Sequence, residues 1–163
     1  MPEPAPDPTA AREPTAAPEP TAAFEPTAAP EPVRQPFAYA VLRVMPRVER
    51  GESINAGIVL LCRPRRFLGA RVGLGEGRLR ALDPACDPVE VEAHLAAIER
   101  IAAGDPAGGP IASFTQAERF HWLVAPSSTI IQPSDVHTGL TADPAATLEH
   151  LFATLVEGPR ANG

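Results

Sequence analysis

Two stretches of the chain concentrate the side chains best suited to chemistry. The first holds Arg43, Arg47, Arg50 and Asn55. Guanidinium forks and an amide so close together suit a phosphate, a carboxylate or an acidic segment of a partner. The plainer assignment pairs Arg47 and Arg50 with Glu49 and Glu52 at a solvated hairpin tip. The second stretch carries His121, Ser127, Ser128, Thr129, Asp135, His137 and Thr138, residue types that could serve as nucleophile, base and orienting acid, with Gln132 a further candidate for contact with a ligand or partner. No Gly-x-Ser-x-Gly elbow accompanies them, and a Pro-Ser-Ser-Thr run is equally a hydroxyl-rich turn bonded to its own backbone.

Between the two lie Arg63, Arg65, Arg66, Arg71, Arg78 and Arg80, opposed only by Glu76. Such a run is the best argument for nucleic-acid contact. It is weakened by a net charge of -6, by a single aromatic ring, Phe67, in the run, and by the use of arginine for all 14 basic residues. The last feature reads as base composition of the genome. His94, His121, His137 and His150 have no i, i+4 or Cys-x-x-Cys spacing, so neither a metal nor a cofactor is expected. Gly73-Leu74-Gly75-Glu76-Gly77 reads as a turn, because Glu76 would repel a phosphate.

The elements that must position these residues follow from periodicity. Phe37–Met45, Ile54–Cys62 and Phe67–Val72 have strand character, and their short connections favour an antiparallel meander. Asn55 and the nearby Gly57 interrupt an otherwise apolar strand; a buried amide there needs a partner, and the glycine permits close backbone approach. Asp87-Pro88 begins a helix with Val91, Leu95, Ile98 and Ala102 in one stripe and Gly104 at its end. Thr115-Gln116-Ala117-Glu118 is a capping box opening a second helix that Pro126 stops. Thr129–Gln132 reads as a short fourth strand bounded by Pro133, and Asp143-Pro144 starts a third helix ending at Gly158. The expected fold is α+β: an antiparallel sheet of about four strands with three helices, packed on one face.

Residues 1–36 hold 11 of the 21 prolines, with Phe24 and Val33 almost the only large apolar side chains. With a six-residue repeat exemplified by Glu13-Pro14-Thr15-Ala16-Ala17-Pro18, they read as a disordered, polyproline-II-like spacer. Residues 37–158 are then one domain and 159–163 a disordered end. At 163 residues and 44% apolar content the chain has material for one core. No apolar run is long enough to span a membrane, no signal sequence is evident, and two cysteines are too few for a disulfide framework. The expected compartment is the cytoplasm.

The segment from Phe37-Ala38-Tyr39-Ala40-Val41-Leu42-Arg43 through Arg50-Gly51-Glu52-Ser53-Ile54-Asn55-Ala56-Gly57 to Leu60 resembles the opening of the bacterial family known as domain of unknown function 3037. Glu118-Arg119-Phe120-His121-Trp122 through Ile131-Gln132, followed by Val136-His137-Thr138-Gly139-Leu140, resembles its second block. Ser53-Ile54-Asn55-Ala56-Gly57 departs slightly from the family pattern, in which an aromatic or aliphatic residue, Val, Asn, Val and Gly are expected. The resemblance covers about residues 37–157 and assigns no reaction. It implies proximity to kinase-like proteins of the toxin–antitoxin persister type. The leading expectation is a non-enzymatic protein-interaction module with a protein partner, kinase-like in this context, engaged through the Arg47, Arg50, Asn55 edge. Its rival is an enzyme or binding protein for a phosphorylated or nucleotide ligand, using Arg47, Arg50, His121 and His137. Nucleic-acid binding through Arg63–Arg80 ranks third.

Overall fold

The computed structural model describes residues 29–158. The repeats within 1–28 and the end at 159–163 lie outside the described residues. Strand β1 (Gln35–Val44) pairs antiparallel with β2 (Ile54–Cys62), which pairs antiparallel with β3 (Phe67–Val72). The expected meander is therefore present. Beyond it come α1 (Glu76–Leu82), α2 (Pro88–Ala103), α3 (Gln116–Leu123), β4 (Ile131–Pro133), β5 (His137–Thr141) and α4 (Pro144–Phe152), the last continued by a π-helical turn over Ala153–Glu157.

The other side of β1 is shared. Its first half, Gln35–Tyr39, pairs with β5, and Leu42–Val44 pairs with β4. Ser134 joins the two halves. Its backbone N–H donates to the Val41 carbonyl at 2.8 Å, and its Oγ accepts the Val41 N–H at 2.9 Å while donating to the Asp135 carbonyl at 2.8 Å. One buried hydroxyl thus completes the hydrogen bonding of β1 where the neighbouring strand is interrupted. Pro36 and Pro133 both enter strands, so β1 begins before the expected border at 36 and β4 includes the residue expected to end it. Even-numbered residues of β1 direct their backbone groups toward β2, whose pairing starts only opposite Ala38, so Pro36 removes no ladder bond.

Side-chain alternation divides the core into two layers. Ala40, Leu42, Val44, Ala56, Val59 and Leu61 meet Leu79 of α1, Val91, Leu95 and Ala102 of α2, and Phe120 and Leu123 of α3. Val41, Ile58, Leu60 and Cys62 meet Leu148, Phe152 and Val156 on the opposite face. Helices consequently cover both faces, which corrects the one-face arrangement. The cause is readable in β2, where seven consecutive residues from Ala56 are buried: a strand apolar on both sides needs a cover on both.

Local signals fix the helix ends. Asp87 accepts the Val89 N–H, Thr115 and Glu118 form the reciprocal capping box, and Asp143 accepts from Ala145 and Ala146. Gly104 closes α2 at φ 74°. Helix α1 and strand β5 were not anticipated. Replacing Ser134 with Ala should leave the Val41 N–H unpaired and destabilise the domain by about 1–3 kcal/mol, read as a lower urea midpoint with unchanged far-ultraviolet circular dichroism.

Candidate functional site

Arg43, Asn55 and Gln132 stand in one cross-strand row, because Arg43 is opposite Asn55 on β2 and opposite Gln132 on β4. This row lies on the α4 face. Asn55 donates through Nδ2 to the Leu155 carbonyl at 2.9 Å, and Arg78 of α1 donates to the Val156 carbonyl at 2.7 Å. Both therefore satisfy carbonyls at the open C-terminal end of the α4 segment, whose negative dipole end favours cationic and N–H donors. Arg71 completes the clamp: its guanidinium sits 4.9 Å from the Phe152 ring centroid and 3.3 Å from the Glu149 carboxylate. Gly57 meets its expectation. A Cβ there would lie 3.0 Å from the Arg71 carbonyl and 3.1 Å from Leu42.

The hairpin arginines are engaged as well. Arg50 pairs with Glu52 at 2.8 Å as the solvated-tip assignment has it, but Arg47 reaches across to Asp83 at the end of α1, at 3.1 Å. The Asp83 side chain, 11% exposed, also accepts the Ala85 N–H at 3.0 Å. That hydrogen bond foremost, aided by Arg47 and opposed by burial, holds its carboxyl below the ordinary aspartate range.

The two histidines are separated by the sheet. His137 stacks on Tyr39 at 5.2 Å between ring centroids on the α4 face. His121 is exposed on α3, in the layer across the sheet, beside Phe120. Thr138 and Ser128 are exposed on β5 and on the α3–β4 connection. The Arg63–Arg80 run is dispersed. Arg65 donates to the Val33 carbonyl, Arg80 pairs with Glu76 one turn away, and Arg71 and Arg78 hold α4. Arg63 and Arg66 alone share a recess, of about 480 Å³, with Thr115 and Gln116.

The best-formed concavity lies elsewhere, between α2, the end of α3 and β4. It is a groove of about 540 Å³, floored by Leu42 and walled by His94, Ala97, Ile98 and Ile101, by Trp122 and Leu123, and by Pro126, Ile130, Ile131 and Pro133. Trp122 remains 50% exposed at its rim. Ser127 and Thr129 also line it, but their hydroxyls bond to each other and to the Ile131 carbonyl, leaving contact with apolar surface as the dominant interaction on offer. Three of the expected site residues adjoin this lining in the chain without belonging to it: His121 precedes Trp122, Ser128 lies between Ser127 and Thr129, and Gln132 lies between Ile131 and Pro133. Helical periodicity turns His121, and strand alternation Gln132, to another side. Ile98, in the apolar stripe of α2 yet only partly buried, was the available signal.

Arg119 was also missed. It donates to the carbonyls of Ala112 at 3.1 Å, Phe114 at 3.0 Å and Ala102 at 3.4 Å, placing a cation at the C-terminal end of α2. Among the described residues no group of three or more His, Cys, Asp or Glu is arranged to hold a metal, and no helix is long and apolar enough to cross a membrane.

Fold and site together define a small α+β sheet domain, helical on both faces, whose principal concavity is apolar. Within that class, the family profile for a protein of unknown function, DUF3037, matches residues 39–156. The chain belongs to this family. No curated protein and no solved structure matches it.

Two outcomes follow. Asn55→Ala should destabilise the domain by about 1–2 kcal/mol and raise hydrogen exchange first in residues 153–157, measured by mass spectrometry. Because the folded Asp83 pKa is depressed, its contribution is complete at neutral pH and is lost as pH falls from about 4 through the folded value. Asp83→Asn should accordingly flatten the acid-side fall of thermal stability, read as melting temperature against pH.

Proposed function

We propose that this domain is a protein-interaction module whose recognition surface is the groove beside Trp122. The observation that carries the reading is a half-exposed tryptophan at the rim of an apolar, uncovered concavity built by α2, α3, β4 and Leu42 of β1. Exposed aromatic side chains next to a preformed apolar pocket are the usual anchors of protein recognition. No acidic side chain and no arginine lines the groove. The matching occupant is a partner segment that inserts uncharged aliphatic or aromatic side chains, and a kinase-like protein is the first candidate to offer. The alternative of an arginine-lined phosphate site has less support: Arg47 and Arg50 are ion-paired, Asn55 is bonded to the Leu155 carbonyl, and His121 and His137 occupy opposite layers.

The test compares capture by the full chain with capture by Trp122→Ala, Ile98→Glu and Arg47→Ala, each checked for folding, and then titrates the purified partner. A stoichiometric partner should bind the wild type and Arg47→Ala alike, lose at least tenfold in affinity for the two groove variants, and shift the emission of the single tryptophan to shorter wavelength. Equal binding by Ile98→Glu and wild type would overturn the groove as the recognition surface.

A further inference from the structure

A second surface lies at the sheet margin, away from the groove. Strand β5 has one sheet neighbour, β1. Val41 and Met45 direct their backbone groups toward β4, and strand alternation gives Phe37 and Tyr39 the same direction, toward Gly139 and His137 of β5. The N–H and C=O groups of Thr138 and Leu140 therefore point away from β1. Among the described residues no backbone group meets them.

An open edge of this kind normally carries a lysine, a proline, a bulge or a covering loop to prevent pairing with another chain. Among the described residues, strand β5, His137-Thr138-Gly139-Leu140-Thr141, has no lysine, proline or register shift, and no backbone pairs with its outer side. Val136 and Leu140 are instead 45% and 65% exposed. Two-residue spacing places both on the side of Thr138.

We propose that β5 is a self-association edge, through which two copies of this chain pair antiparallel about a twofold axis at Thr138. Thr138 then faces the second copy's Thr138, and Val136 faces the second copy's Leu140 in both directions. The outward backbone groups of Thr138 and Leu140 become the hydrogen-bonded positions of the new ladder. Cross-strand threonine pairs and aliphatic pairs are favourable neighbours. Between Val136 and Ala142 the only ionisable side chain is His137, and this register sets it opposite Gly139, so like charges do not meet. Centring the pair on Gly139 instead would oppose Leu140 to Thr138 and leave Val136 outside the apolar contact. The result is an isologous interface that joins two five-stranded sheets and leaves the groove beside Trp122 free in each copy.

Light scattering on the full chain should give twice the 17.2 kDa chain mass. Thr138→Pro removes an N–H that β1 does not use, and should give the single-chain mass with unchanged circular dichroism. Leu140→Lys combined with Val136→Lys, altering only exposed side chains, should do the same and decides the matter if the proline variant fails to fold. Thr138→Cys in a Cys86→Ser background should form an interchain disulfide on mild oxidation, whereas Ser128→Cys should not. A wild-type chain that stays monomeric at the highest soluble concentration overturns the proposal, as does a dimer that survives the double lysine variant.

Discussion

Strand β1 is the constraint on which the remaining structure depends. It is hydrogen-bonded along both sides, to β2 on one and to the β5–Ser134–β4 sequence on the other. A strand so placed must be apolar on both faces, and each face then needs its own cover. Helices α1–α3 provide one and α4 the other. The interruption between β4 and β5 would leave Val41 unpaired in the middle of the sheet; the Ser134 hydroxyl supplies the missing acceptor in the required place.

Several polar and charged side chains hold these layers together. Asn55 and Arg78 bind consecutive carbonyls of the π-helical turn, Arg71 covers Phe152, and Arg119 gathers three carbonyls from two segments. An arginine that satisfies several peptide carbonyls needs no carboxylate partner, because the aligned peptide dipoles at a helix end supply negative potential. The arginine-rich composition thereby becomes a structural resource. What is left for recognition is mainly shape and apolar surface: the groove beside Trp122 and the open edge of β5.

These two surfaces obey different physics. The groove offers desolvation of apolar side chains with little directional bonding, so it selects by size and shape. The β5 edge offers unpaired backbone groups, which fix direction and register but read sequence only through alternate side chains. Their separation would let one domain self-associate and bind a different protein without competition between the two.

Membership of the family was legible in the two blocks around Phe37–Leu60 and Glu118–Leu140, as were the meander, three helices and their caps, because each depends on neighbours within a few residues. Strand β5 was missed: five residues with a central glycine have little local preference, and pairing with β1 stabilises them. Helix α1 was hidden by its glycine-flanked start. The groove was not anticipated: the expected edge of Arg47, Arg50 and Asn55 does not line it, and Ser128 and Gln132 are only chain neighbours of residues that do. Sequence alone determined the α+β class and the capped helix ends; that the core has two layers, one on each face of the sheet, was decided by the tertiary structure. Tertiary structure decided that Asn55 meets Leu155, 100 residues away, that Arg78 meets Val156, 78 away, and that Ser134 meets Val41, 93 away. Such partners are set by how layers close over one another, and no local periodicity encodes them.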